Sequence, residues 1–422
     1  MTERSTTVGR QRIAAATIAV TMAVAGCTGS DQPESSARST STAPTTTTAT
    51  TGSSAASGNE IDLSEVASTM DAFVDEQGLS GAGLVVVQRD DGVIGEYYTS
   101  DFGGDRVSLL ASSSKMLTAG VLMRLADEGL LDLDAPVADV VDWGSGNPAV
   151  TPAQLLSNSS GLVGLIDDPT FAPYICQYLA TGTLAECGQE IFTTGEDDAQ
   201  VVPPDTEFRY GGGQWQVAGA VAEAASNKSW EELVDETYVE PCGLDSLGYN
   251  NHYTQITSED GPFSYPTQFA GDPSTLADTR NPNMEGGVYA SPDDYSKLLL
   301  MQLRGGTCGD ERVLSEAAVE RMLTDRVGPA YGADLSAMFG AANPASVEEG
   351  QALGGYGMGW WVGADDPDYV EDAGAFGAVP WLDLGRGYGA YLVVEATAMQ
   401  GRTLANEIRP LIEEQIDEGS PG

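Results

Sequence analysis

Ser112 and Lys115 stand three residues apart in the stretch LLASSSKMLTAGVLMRLADEGLLDLDAPV, and Lys115 is one of only three lysines in 422 residues. Residues i and i+3 of a helix share one face, so this spacing sets a serine hydroxyl beside an amine. A serine hydroxyl is a weak nucleophile and needs a neighbour to take its proton. Lysine does so only when burial or nearby cations bring its pKa down from about 10.4 toward working pH. A helix N-terminus helps on both counts, since its positive end disfavours a second cation and its free N–H groups stabilise a developing oxyanion. The chemistry predicted is acyl transfer through serine. The plain alternative is a solvated Ser-Ser-Ser helix start with an exposed lysine, because S-x-x-K alone is a short pattern.

The rest of the composition narrows the choices. The chain has a single histidine, His252, and no G-x-S-x-G elbow, so a Ser-His-Asp arrangement has nothing to build on. His252, in YNNHYTQ, is expected in a surface loop. Cys176, Cys187, Cys242 and Cys308 fit no zinc spacing, and neither a metal nor any cofactor is implied. The formal charge of -44 repels polyanions and excludes nucleic acid as a partner.

Positioning a serine and a lysine takes a framework, and the hydrophobic pattern supplies one. Residues 114 to 128 carry Met116, Leu117, Val121, Leu122 and Leu125 at helical spacing. Upstream, SEVASTMDAFVDEQGL reads as a helix, and GAGLVVVQRDDGVIGEYY as two strands joined at Asp90-Asp91-Gly92. Further helices are predicted near 153–157, 214–225, 292–303 and 314–323, with segments 163–204 and 250–283 left as loops. Toward the C-terminus come β-like runs at GMGWWVG, at about 379–384 and at YGAYLVVEA, then a helix from Leu404 to Ile416. The fold class predicted is α/β in the α+β sense: strands from both ends in one antiparallel sheet flanked by helices, with a mostly helical second lobe. A cleft between the lobes is where a site is expected.

The N-terminus suggests export. Arg4, Arg10 and Arg12 precede the 14-residue apolar run IAAATIAVTMAVAG, shorter than the roughly 20 residues a membrane span needs. The end of that run, Val24-Ala25-Gly26-Cys27, resembles a bacterial lipobox. That resemblance implies a lipoprotein signal peptide over 1–26, lipidation at Cys27 and a position on the outer face of the cytoplasmic membrane, held by a lipid anchor only. Residues 27–58, rich in Ser and Thr, are expected to be a disordered tether, leaving 59–422 as the folded domain. In an exported chain four further cysteines suggest two disulfides; of three possible pairings, proximity favours Cys176 with Cys187 and Cys242 with Cys308.

The line LASSSKMLTAGVLMRLADEGLLDLDAPVADVV resembles the serine β-lactamase and penicillin-binding-protein superfamily, in its class C β-lactamase, D-aminopeptidase and esterase branch. VTPAQLLSNSSGL, EGGVYASPDDYSKLLLMQLRGG and YGMGWWV are similar to later segments of the same branch, over roughly residues 60 to 415. The resemblance implies Ser112 as nucleophile, with Lys115 and Tyr210, of EFRYGGGQWQ, as its general base and later acid. It also locates two departures. Gly212 stands where the family's Y-x-N motif has asparagine, which puts β-lactam or peptide recognition in doubt. Gln214 or Gln216 is a candidate to restore that amide, and Gly212→Asn is expected to raise any β-lactam activity. The third motif falls at Asp372-Ala373-Gly374, where the usual cation or imidazole is absent. A carboxylate there cannot attract a substrate carboxylate, while Gly374 and Ala375 remain candidates for an oxyanion hole with the Ser112 N–H. A Gly-rich edge strand is the alternative account of that segment, with equal standing.

Three functions follow. The first is an exported, lipid-anchored serine hydrolase forming an acyl-enzyme on a small ester or amide, cell-wall derived among the options. The second is D,D-peptidase or β-lactamase action on wall peptides or β-lactams. The third is a catalytically silent binding lipoprotein, favoured by Gly212 and Asp372 and opposed by the retained Ser112, Lys115 and Tyr210.

Overall fold

The structure, a computed structural model, describes residues 60–147, 149–165, 171–258, 261, 263–328 and 353–419. The expected signal peptide over 1–26, the expected lipidation site Cys27 and the whole of the expected tether 27–58 lie outside the described residues. In chain order the helices are α1 Ser64–Gln77, α2 Lys115–Asp127, α3 Pro152–Leu156, α4 Leu184–Thr193, α5 Gly213–Ser226, α6 Trp230–Val234, α7 Glu240–Cys242, α8 Pro292–Leu303, α9 Glu316–Leu323 and α10 Ala398–Gly419. The strands are β1 Gly83–Gln88, β2 Gly92–Tyr98, β3 Ser108–Leu109, β4 Gly248–Tyr249, β5 Val288–Ala290, β6 Thr307–Cys308, β7 Glu311–Arg312, β8 Leu353–Tyr356, β9 Trp361–Gly363, β10 Tyr369–Glu371, β11 Ala378–Asp383 and β12 Tyr388–Val393.

Seven strands form one antiparallel sheet in the order β2-β1-β12-β11-β10-β9-β8, so the two ends of the domain meet at the β1–β12 pair, Gly83 opposite Val393. β1 reads GLVVVQ without polar alternation because both its faces are covered. Leu84 and Val86 pack with Val66, Met70 and Phe73 of α1 and Leu404, Ile408 and Ile412 of α10. Val85 and Val87 point the other way, into a core shared with Leu298 and Leu299 of α8 and with the helical lobe. Period-two side-chain alternation thus sorts one apolar run into two cores.

The helical lobe is built on α2, buried nearly all round from Lys115 to Met123. Gly120 is required there, because a Cβ would collide with the Tyr238 hydroxyl, which donates to the Leu117 carbonyl at 2.9 Å. Both proximity-favoured disulfides are present: Cys176–Cys187 ties the turn 172–178 to α4, and Cys242–Cys308 ties α7 to β6.

Three expectations change. The run GMGWWVG is a hairpin: β8 ends at Tyr356, and Gly357 donates to Trp360 O across the turn before β9 begins. Segment 163–204 holds a full helix, α4, whose N-cap Thr183 and N3 residue Glu186 form a reciprocal capping box. The segment around Gly374 is the connection between two interior strands, β10 and β11, and not an edge strand.

Candidate active site

Ser112 lies in a single 3₁₀ turn, Ala111–Ser114, and Lys115 is the first residue of α2. Residues i and i+3 eclipse in a 3₁₀ turn, which brings the two side chains closer than an α-helix would. Lys115 Nζ is 2.9 Å from Ser112 Oγ. Of the three serines, the neighbours are structural: Ser113 Oγ donates to Asp372 O at 2.6 Å, and Ser114 Oγ donates to Ala111 O and accepts from the Val288 N–H. Ser112 alone is half-exposed. Ala111, immediately before it, sits at φ 48°, a left-handed conformation costly for a residue with a Cβ and kept where the surroundings over-determine it.

Lys115 is fully buried and makes a second hydrogen bond to the Glu285 carbonyl at 3.1 Å. Burial lowers its pKa, opposed by the carboxylates of Glu285 and Asp372. The buried amine is therefore pushed toward the neutral form, the form able to accept a proton from the hydroxyl beside it. Glu285 Oε2 lies 3.5 Å from Nζ and accepts the Gly212 N–H at 2.9 Å. Pairing of β3 with β5 carries Glu285 here, because β5 starts three residues later and aligns Ala290 with Ser108 just before the serine turn. Nothing in the sequence pattern assigns Glu285 a role; its only local signal is the Gly286-Gly287 pair that follows it.

Tyr210 joins the pair from the segment preceding α5. Its ring lies 4.6 Å from Lys115 Nζ and stacks on Trp361 at 5.4 Å, so it is both a packing aromatic and a site residue. Burial first, and then the charge of Asp372, push its pKa well above the usual phenol value. A protonated phenol is a donor, so the geometry makes Lys115 the candidate proton acceptor at rest and Tyr210 a candidate proton donor. Its hydroxyl donates to Asp372 Oδ1 at 3.4 Å. Asp372 is fully buried, and its pKa is raised well above the carboxylate range by burial.

Other predicted roles move. Gly212 sits at φ 80°, ψ -165°, a region open essentially only to glycine, and a Cβ would stand 2.8 Å from the Val163 carbonyl oxygen. Gln214 and Gln216 do not replace the missing asparagine: Gln214 Nε2 donates to Arg209 O and Gly211 O, and Gln216 Nε2 to Asn281 Oδ1 and Pro282 O. Gly374 donates its N–H to Ala378 O at 2.7 Å, so it is no oxyanion donor; glycine is needed because a Cβ would collide with Leu110 O. Ala375 N–H has no acceptor among the described residues, leaving it and the Ser112 N–H as the candidate oxyanion pair. His252 is not in an exposed loop position. It is buried against Tyr253 at 4.2 Å and Phe376 at 5.5 Å, and burial pushes its pKa down to about 3, so it is a neutral packing ring. No cluster of three or more His, Cys, Asp or Glu able to hold a metal ion occurs among the described residues.

An antiparallel sheet covered by helices on both faces, with serine and lysine at the head of a buried helix, is the beta-lactamase-like fold. The beta-lactamase family profile matches residues 66–411, and the chain belongs to that family. Penicillin-binding protein 4 of Amycolatopsis lactamdurans is 26% identical over 373 residues, covering 82% of this chain and 88% of its own. Lovastatin esterase of Penicillium rubens is 24% identical over 300 residues, covering 63% and 71%. Among solved structures, a variant of simvastatin synthase from Aspergillus terreus superposes with a TM-score of 0.63 at 19% identity, covering 84% of this chain and 95% of that one.

Proposed function

We propose that this protein is a serine hydrolase that forms an acyl-enzyme on Ser112, acting on a small ester or amide that carries no carboxylate next to the scissile bond. The observation that carries the reading is the 2.9 Å contact between Ser112 Oγ and a Lys115 amine that burial pushes toward its neutral form. Ser112 attacks, Lys115 takes its proton, and the N–H groups of Ser112 and Ala375 receive the oxyanion. Asp372, at the position of the third motif, supports the restriction on substrate, since no cation stands there to receive a carboxylate. The half-buried rings of Tyr178 and Tyr253, beside Glu285 and Gly286, favour an apolar acyl group. The esterase among the relatives points the same way. Export and lipid anchoring at Cys27, on the outer face of the membrane, complete the proposal and rest on the sequence of residues 4–27.

The test is intact-protein mass spectrometry after separate incubation with a fluorophosphonate, an activated acyl ester and a penicillin, with Ser112→Ala as control. An adduct on Ser112 from the first two and none from penicillin is the expected result. Acylation by penicillin alone would favour the penicillin-binding reading that similarity to penicillin-binding protein 4 suggests. No adduct from any reagent would sink both.

A further inference from the structure

Asp372 is fully buried, and only one of its carboxylate oxygens has a hydrogen-bond partner: Oδ1 accepts from Tyr210, while Oδ2 meets no partner among the described residues. An ionised carboxylate left with a bare buried oxygen is costly. The Lys115 charge acts on Asp372 against the effect of burial, but without contact, because Nζ is hydrogen-bonded to Ser112 and Glu285 O and paired with the Glu285 carboxylate. The other ionisable groups that face Asp372 give no cation: Tyr295 from α8, Tyr356 from β8 and the adjacent Glu371, itself paired with Arg402 at 2.8 Å. The acid form fits this setting, because a carboxylic acid carries no net charge into it.

We propose that Asp372 holds a proton in the resting enzyme and passes it through Tyr210 to the departing alcohol when Ser112 is acylated. The inference rests on the reading of Ser112 as nucleophile. In acylation the Ser112 proton goes to Lys115, the bond from the acyl carbon to Ser112 Oγ forms, and the bond to the alcohol oxygen breaks. That oxygen takes the Tyr210 proton while Tyr210 takes the Asp372 proton, the carboxyl having rotated so that its O–H faces the phenol. The acyl-enzyme then carries Lys115 as ammonium and Asp372 as carboxylate, two opposite charges in one dry site. In deacylation a water attacks the acyl carbon, its proton returns through Tyr210 to Asp372, and Lys115 returns its own to Ser112 Oγ. Every proton is restored. Asp372 acts through Tyr210 and is a positioning residue for the proton, in a place where the family's usual cation would instead receive substrate.

Leaving-group dependence tests it. An alkyl alcohol needs a proton as it departs, whereas p-nitrophenolate does not. Asp372→Asn keeps the size and neutrality of the acid but cannot give up a proton. With esters of one acyl group, kcat/KM of Asp372→Asn should fall about 100-fold for an ethyl ester and less than about 3-fold for the p-nitrophenyl ester. Tyr210→Phe, which interrupts the same relay, should show the same divergence, and the double variant no further loss. A merely structural role would lower both substrates together, so equal losses, or no loss on either, with wild-type adduct formation on Ser112 intact would overturn the relay alone. Absence of any Ser112 adduct in the wild-type protein would overturn the nucleophile reading and the relay with it.

Discussion

The Lys115 amine and the Glu285 carboxylate lie 3.5 Å apart, with no more than 5% of either side chain exposed. Two opposed effects meet in that distance. Burial lowers the Lys115 pKa, and the Glu285 charge raises it, so Glu285 limits how far the base is weakened and stabilises the ammonium once Ser112 has given up its proton. Glu285→Gln keeps an acceptor for the Gly212 N–H but removes the charge. Lys115 should then lose its proton at lower pH, moving the ascending limb of kcat/KM acidward by about 1 unit or more, with a plateau about 10-fold lower because the base is weaker. A pH–rate profile from pH 5 to 10 measures both, and an unmoved limb would remove Glu285 from the electrostatics of the site.

Lys115→Met replaces the amine by an apolar group of similar length. Without a proton acceptor the acylation rate should fall at least about 1,000-fold, read as the rate of fluorophosphonate labelling at Ser112. Stability follows the buried charge. A lysine whose folded pKa lies below 10.5 penalises the fold fully at pH values under that folded pKa, and the penalty is relieved as pH rises toward 10.5. The methionine protein escapes the penalty but leaves the Glu285 carboxylate unpaired. These effects oppose each other, so the thermal midpoint at neutral pH should stay within about 3 °C of wild type. A folded variant that labels at the wild-type rate would end the mechanism.

What could be read before the fold was known was local or strongly periodic. Ser112 and Lys115 are three residues apart, and a single turn decides their meeting. The runs that became β1, β11 and β12 are apolar enough to mark a sheet with both faces covered, and α2 showed through its spacing of Met116, Leu117, Val121, Leu122 and Leu125. Glu285 was hidden because its contact with Lys115 spans 170 residues. The trace it left is Gly287, where a Cβ would collide with the Asn250 carbonyl oxygen, and a glycine pair in a sequence does not say what it packs against. α4 was hidden differently: its signal was present, Leu184, Cys187 and Ile191 behind a Thr183–Glu186 capping box, but a single three-turn helix inside a Gly- and Pro-rich region did not stand out. His252 misled because a lone histidine in a polar stretch carries no sign of the rings that bury it.

Gly212→Asn shows where motif reasoning and geometry part. By motif alone asparagine restores the family pattern and should raise β-lactam activity. The backbone at φ 80°, ψ -165° is closed to a residue with a Cβ, and the Val163 carbonyl oxygen occupies the space the Cβ needs. Shifting the loop would also pull the Gly212 N–H from Glu285. The variant should lose about 1–3 kcal/mol of stability and gain no turnover of a chromogenic cephalosporin. Thermal unfolding and that turnover check the two halves, and a stable variant with new activity would mean the loop repacks freely.

The pH dependence of stability gives a view of Asp372 that needs no substrate. A carboxyl whose folded pKa lies above 3.8 keeps a proton in the native state that the unfolded chain has released. Between those two values the native state binds more protons, so raising the pH favours unfolding; the loss begins near pH 3.8 and is complete once the folded pKa is passed. Asparagine at 372 cannot ionise and escapes that loss. The midpoint of Asp372→Asn relative to wild type should therefore rise as pH is raised above about 4 and level off once the folded pKa is passed, measured by thermal unfolding from pH 4 to 9. The same difference shrinking with pH would show that the carboxylate form is favoured in the fold, with Lys115 compensating it across the site.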